Sequence, residues 1–339
     1  QINLVKKIEE KGLDYKTSDG IYFDTKKFEV DTKKVYGELS TLDQIKAGAR
    51  VEENPEKKDP RDFALWKFSD KPGERQMEWK SPWGMGFPGW HIECSAMSMK
   101  YLGESFDIHA GGEDLRSTHH PNEIAQSESA TGKQFVKYWI HSAFLQVDGA
   151  RMSKSKGNAY RLEELIAKGY DPLALRYLYL TGHYRSPLNF TWDSLDNAQK
   201  TLNNMRELVR ASKNQSQRTQ LSQEKAEGME KFRDEFTMAI NDDLNTPKAL
   251  AAFWSMLKSN LPSQDKYEMA LSFDEVLGLG LGEVVSVEIP QSVMKLVEVR
   301  EQARKSGDFE EADQARKEIE KHGYKVLDTP EGPQVKSNQ

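Results

Sequence analysis

Residues 106–149, FDIHAGGEDLRSTHHPNEIAQSESATGKQFVKYWIHSAFLQVDG, decide the fold of this chain. FDIHAGG reads as a short strand ending in a glycine turn, STHHPNEIAQSESATG as a helix, and KYWIHSAFLQVDG as a strand pair. Strand, glycine turn, helix and strand in close succession predict parallel-sheet construction, because the helix returns the chain so that the next strand runs the same way. Thr118 can cap the helix and Pro121 is tolerated only in a first turn, so the helix starts near residue 119.

Working outward, Ile2, Leu4, Val5 and Ile8 recur at helical spacing, with Gly12 as the stop. GIYFDTKKF alternates like a strand after the turn Ser18-Asp19-Gly20, and DFALWKF is a second strand-like run. The nine residues SPWGMGFPG, 81–89, hold three glycines and two prolines and predict a loop that brings backbone close to a ligand. GWHIECSAMSMKYL reads as a helix. Beyond about residue 160 the pattern is nearly all helical. Leu202, Met205, Leu208 and Val209 mark one helix, and Thr246-Pro247 caps another whose inner face is Leu250, Phe253, Trp254 and Leu257. Residues 293–322 read as a helical hairpin broken at Gly307-Asp308, and GYKVLDTPEGPQV as a terminal two-strand turn.

At 339 residues the chain has room for two or three domains. Hydrophobic residues at 37% and well-mixed charged residues at 30% describe a globular protein rather than a disordered one. No run approaches the ~18 apolar residues of a membrane helix. A net charge of -6 excludes a chain that is basic all over, so any nucleic-acid partner is held by local basic surface. The lone Cys94 excludes an intramolecular disulfide, which fits a reducing cytoplasm. QINLVKKIEEKGLDY reads as a helix met midway, with no signal-peptide pattern, so the chain is expected to lack its natural start.

Three clusters carry chemistry. His119 and Glu123, four apart, share a helix face within reach of one ion, although that spacing is usual for a solvated pair. Cys94, otherwise read as a small core residue, would complete a mixed thiolate, imidazole and carboxylate set suited to zinc, with a position left for a substrate. His91, His109 and His120 compete as ligands. In RMSKSKGN, residues 151–158, cationic side chains stand among two serines and a glycine; the pattern is either a solvated basic loop or a mobile loop that brings charge to a polyphosphate. In GGEDL, residues 111–115, glycines can let backbone approach a nucleotide, and Asp114 can accept hydrogen bonds from ribose hydroxyls.

In order and spacing, GWHIECSAM, HAGGEDL, HHPNEIAQSE and RMSKSKGN resemble the cysteinyl-tRNA synthetases, class I aminoacyl-tRNA synthetases, and the resemblance runs essentially from residue 1 to about 335. It implies an α/β fold: the second half of a Rossmann-type class I synthetase catalytic domain, an α-helical tRNA-binding region, and a small C-terminal α+β element. By segment this gives 1–80 as part of a connective α/β domain, 81–160 as catalytic half-domain, and 161–195 as a stem-contact connector. Residues 196–285 become a tRNA-binding helical bundle and 286–339 an anticodon-binding element. The resemblance also implies that Cys94, His119 and Glu123 ligate Zn2+, that Trp90 packs by the cysteine substrate, and that His109, Gly111, Gly112 and Asp114 lie along ATP and the adenylate. Lys154, with Arg151, Ser153 and Ser155, forms the catalytic phosphate loop.

The implied partners are tRNA(Cys), L-cysteine and ATP with Mg2+, in a cytoplasmic monomer with no membrane contact. A basic run, Lys200, Arg206, Arg210, Lys213 and Arg218, is either a solvated helix face or a surface that would grip the tRNA. This sequence departs from the family pattern in three ways. Arg151 stands for the loop's first lysine, and Ser117-Thr118 and Pro121 stand where the family has Phe-Pro and Glu. No His-Ile-Gly-His signature occurs. That signature and a fourth, cysteine ligand are expected to precede residue 1, which predicts weakened zinc binding, an exposed sheet edge and little adenylate formation by this chain alone. The rival readings are the cysteine ligase of mycothiol synthesis and a non-catalytic tRNA-binding fragment.

Overall fold

The computed structural model describes residues 1–39, 54–153, 155, 157–213, 222–282, 291–329 and 332–337. It divides into two compact units, Gln1–Met152 with Gly182–Phe190, and Ser153–Thr181 with Thr191–Gln339. This division cuts across the segments 81–160 and 161–195 drawn from the sequence.

The first unit opens with α1 (Ile2–Glu10), β1 (Asp14–Lys16), β2 (Gly20–Phe23), α2 (Thr25–Thr32), β3 (Phe63–Phe68), β4 (Trp79–Ser81) and β5 (Gly84–Pro88). The strands make one antiparallel sheet in the order β1-β2-β3-β5-β4. The strand read over GIYFDTKKF stops at Phe23, because Asp24 accepts a hydrogen bond from the Lys27 amide and starts α2 there. SPWGMGFPG is corrected outright, since most of it is strand. A Cβ on Gly86 would lie 2.1 Å from the Lys67 carbonyl oxygen, and one on Gly89 1.9 Å from that of Ala64. These glycines bring backbone close to β3 rather than to a ligand.

Next come α3 (Trp90–Leu102), β6 (Phe106–Gly112), α4 (His119–Thr131) and β7 (Val136–Ser142), with β6 and β7 parallel from Phe106↔Val136 to Gly112↔Ser142. Thr118 holds the cap position of α4, but its side chain makes no capping bond. β8 (Leu145–Val147), β9 (Ala150–Arg151) and β10 (Leu188–Phe190) form a small sheet, turned between β8 and β9 by Asp148 and Gly149 at φ 50° and 73°. One hydrophobic core joins α1 (Val5, Ile8) and the sheet (Phe23, Leu65, Trp66) to Ile92 of α3 and Ala125 of α4. The helices that carry the candidate ligands are therefore seated in the main core of this unit.

The second unit contains α5 (Leu162–Ala167), α6 (Pro172–Leu180), α7 (Trp192–Ser212), α8 (Gln223–Asn241), α9 (Thr246–Lys258), α10 (Ser263–Leu277), α11 (Gln291–Ser306) and α12 (Phe309–Lys321), then the antiparallel pair β11 (Tyr324–Thr329) and β12 (Gly332–Ser337). Asn245, one residue before the expected position, caps α9. Gly307 at φ 82° turns the hairpin, and the Asp308 carboxylate caps α12. Among the described residues no helix is long and apolar enough to cross a membrane.

One member of the basic run, Arg206 of α7, needs a correction. Arg206 is buried, donating to Asp171 Oδ2 at 2.5 Å and to the Leu279 carbonyl at 2.9 Å, so it holds the bundle together and is no phosphate contact. Lys200, Arg210 and Lys213 are exposed, and Arg218 lies outside the described residues. Arg206→Met leaves Asp171 without its ion pair and should cost about 3 kcal/mol in urea unfolding. Arg210→Met on the solvent side should cost less than about 0.5 kcal/mol.

Candidate metal centre

Cys94 lies one turn into α3, and His119 and Glu123 lie one turn apart in the first two turns of α4. One ligand atom from each of the three falls within 4.8 Å of the others. Two buried polar contacts fix this meeting. Gln126 Nε2 donates to Ser95 Oγ at 2.6 Å, tying α4 to α3 beside Cys94. Tyr36 donates its hydroxyl hydrogen to Asn122 Oδ1, next to Glu123. Sequence reasoning missed Ser95, Gln126 and Tyr36. Gln126 could have been found from its helical spacing to Glu123, but Tyr36 left no local signal.

The Glu123 side chain is wholly buried, and neither of its oxygens has an aligned hydrogen bond. His119 Nε2 lies 2.8 Å from Oε1, and His109 Nε2 lies 3.4 Å from Oε2. Burial raises the Glu123 pKa, but the two imidazoles outweigh it and hold the group down to about 2. The result is an ionised, enclosed carboxylate whose oxygens are poorly satisfied, which suits a cation. Burial, and then the charges of Glu123 and Glu93, push the Cys94 thiol up to about 11, so a cation that takes this ligand must displace its proton. His119 Nδ1 meets His91 Nδ1 at 2.9 Å, which leaves Nε2 on the Glu123 side. Trp90, half exposed, places its ring 4.4 Å from that of His119.

The other expected residues are placed as follows. Gly111 and Gly112 end β6 and have internal reasons to lack side chains: a Cβ on Gly111 would lie 2.8 Å from the His120 ring, and one on Gly112 2.5 Å from Asp114 Oδ1. Asp114 is exposed. Arg151 ends β9, its guanidinium 5.7 Å from the Phe144 ring. The hydroxyls of Ser153 and Ser155 lie 2.7 Å apart, and the Ser153 amide donates to Asn158 Oδ1. Lys154 lies outside the described residues.

Residues 1–200 match the family model of the tRNA synthetases class I (C) catalytic domain. Over 99% of its length the chain is 47% identical to cysteine–tRNA ligase 1 of Burkholderia lata, of which it covers 69%. The chain belongs to the cysteinyl-tRNA synthetase family. A second relative of this synthetase, cysteine–tRNA ligase of Caldicellulosiruptor saccharolyticus, is 42% identical over 98% of this chain and 73% of its own. Further along the synthetase, residues 235–281 match the DALR domain and residues 286–335 the cysteinyl-tRNA ligase anticodon binding domain. Among solved structures, a LeuRS–tRNA–LeuAMS ternary complex of Agrobacterium radiobacter K84 aligns with a TM-score of 0.42 at 15% identity, over 60% of this chain and 32% of that one.

A pH dependence follows for the metal-free synthetase. Burial, then the neighbouring His119, push His91 down to about 3; burial also pushes His120 to about 3. Their ordinary value is 6.5, so between about 6.5 and 3 the unfolded chain binds more protons and stability falls as pH falls. Glu123, at about 2 against an ordinary 4.5, adds loss of the same sign below about 4.5. Chelator-treated protein should therefore melt at progressively lower temperature as pH drops below 6.5. A flat melting temperature from pH 7 to 5 would contradict neutral, buried His91 and His120.

Proposed function

We propose that this chain works as a cysteine–tRNA ligase in which Cys94, His119 and Glu123 hold Zn2+. The observation that carries this reading is the enclosed Glu123 carboxylate, its oxygens facing imidazole nitrogens without an aligned hydrogen bond, beside a thiol and an imidazole in a member of this family. When bound, zinc supplies selectivity, since a soft thiolate ligates it far better than the hydroxyl of serine does. A pocket that separated the two by size alone would gain only ~1–3 kcal/mol.

The chain's own groups do the rest. Trp90 forms a wall beside the thiol site. His109, Gly111, Gly112 and Asp114 border ATP and then the adenylate, and Arg151, Ser153, Lys154 and Ser155 serve the phosphates, with Mg2+ arriving on ATP. The cysteine carboxylate attacks the α-phosphate and pyrophosphate leaves. A terminal ribose hydroxyl of tRNA(Cys) then attacks the acyl carbon, and AMP leaves. No side chain forms a covalent bond, so positioning and charge stabilisation carry the rate. The helices and the terminal α+β element bind the tRNA. An aminosugar ligase is not favoured, because joining cysteine to a sugar needs no anticodon-binding region such as the one matched over residues 286–335.

The test is zinc titration of the wild-type chain and of Cys94→Ser, together with cysteine-dependent pyrophosphate exchange. The serine variant should bind Zn2+ on the order of a thousandfold more weakly, because an alcohol does not replace a thiolate. Equal affinity in the two proteins would sink the assignment of Cys94.

A further inference from the structure

The segment Gly182–Phe190 meets the carboxyl ends of the parallel strands β6 and β7, which is where open α/β sheets receive their ligands. Gly112 pairs with Ser142, and the Glu113 amide donates to the Ser142 carbonyl at 2.9 Å. One residue on, the Ala143 amide donates to the Tyr184 carbonyl at 2.8 Å, so His183, Tyr184 and Arg185 border the turn that carries Gly112 and Asp114. Arg116 stands on that turn, its amide donating to the Glu113 carbonyl at 3.3 Å. We propose that Arg116 and Arg185 hold a phosphodiester of the tRNA 3′ strand while its terminal ribose is delivered to the adenylate. The inference rests on the function proposed above, in which neither arginine has a part.

Both side chains are exposed, and both are anchored through Nε. Arg116 Nε donates to the Leu39 carbonyl at 2.6 Å, and Arg185 Nε to the Tyr184 hydroxyl at 3.0 Å. A guanidinium carries five N–H donors, of which such a bond uses one, and its planar fork matches a phosphate bidentately. Burial, then the charges of Arg116, His109 and Arg185, hold His141 below its ordinary value, so both guanidinium charges reach the same point near the end of β7. Glu113 and Asp114 are exposed on the same turn, so the site offers two placed cations rather than a broad basic field, which suits one phosphodiester. The rings of His183 and Tyr184 stack with centroids 5.0 Å apart, and the Arg185 guanidinium lies 5.4 Å from the Tyr184 centroid. A flat aromatic and cationic stack of this kind is a platform for an unpaired base. An RNA strand brings phosphate and unpaired bases together, whereas the phosphates of ATP are already met by the loop of Arg151, Ser153, Lys154 and Ser155 in the function proposed above.

The experiment measures binding of a tRNA(Cys) transcript, and of the same transcript shortened at its 3′ end, to the full chain by fluorescence anisotropy at one fixed salt concentration. Arg116→Gln and Arg185→Gln should each weaken the intact transcript about tenfold and the shortened one less than about twofold. Arg185→Lys, which keeps the charge but not the fork, should recover only part of the loss. ATP retained in equilibrium dialysis should be the same in all four proteins. Equal weakening of the two transcripts, wild-type affinity in both glutamine variants, or a loss confined to ATP would each overturn the pairing with the 3′ strand and leave the proposed function standing. A wild-type chain that binds no tRNA(Cys) would sink both.

Discussion

Glu123→Gln should abolish the zinc response of the chain. Glu123 is the carboxylate of the Cys94, His119 and Glu123 donor set, and its amide replacement brings no charge. Zinc at a hundred times the wild-type Kd stabilises the wild-type chain by about 2.7 kcal/mol. In the variant, whose affinity should fall at least about a thousandfold, the same concentration should yield less than about 0.1 kcal/mol. Thermal unfolding with and without zinc reads this directly. The metal-free variant carries a second signature. The acid destabilisation that begins near pH 6.5 from His91 and His120 should persist, whereas the Glu123 share of the further loss below about 4.5 should be removed, leaving that of other depressed carboxylates such as Asp19 and Asp59. A zinc-dependent melting shift of wild-type size in Glu123→Gln would exclude Glu123 as a ligand.

Gly89→Ala should be among the most damaging single-methyl additions in the first unit. Gly89 has an ordinary φ of -62°, so the cost is one of space rather than backbone conformation. Its added carbon would meet the Ala64 carbonyl oxygen at 1.9 Å and the carbonyl carbon at 2.9 Å. Those are backbone atoms of β3, and the Gly89 amide also donates to the Leu65 carbonyl at 2.9 Å. Neither partner can move without disturbing the sheet, so the loss should exceed about 3 kcal/mol. Gly89 also begins α3, so the displacement carries Trp90 and Cys94 with it and should weaken zinc binding as well. Gly132→Ala provides the control. Its φ is 71° but nothing lies within 4 Å of the added carbon, so only the left-handed conformation is penalised, at about 1 kcal/mol. Equal losses in urea unfolding for the two variants would refute the steric account.

Local signals were legible wherever one principle dominated. Apolar spacing gave α1, the glycine turn and helix between β6 and β7 gave a parallel pair, and Gly307-Asp308 gave the terminal hairpin. SPWGMGFPG misled because glycine has two uses, in turns and where two backbones pack closely, and composition cannot tell them apart. Arg206 misled because a charge on an amphipathic helix is normally solvated. Its partners are an aspartate and a carbonyl far away in sequence, which no window over α7 contains.

The candidate site divides in the same way. Helical spacing, which is local, already puts His119 and Glu123 on one helix face, and the ordered motifs point to Cys94 as their companion. Which histidines stand where depends on the three-dimensional fold. It set His109 against the far oxygen of Glu123, His91 behind His119 and His141 behind His120. It also supplied the Ser95–Gln126 contact that joins the two helices. These placements depend on how α3, α4, β6 and β7 pack. Packing fixes distances between residues tens of positions apart, which no spacing along the chain encodes.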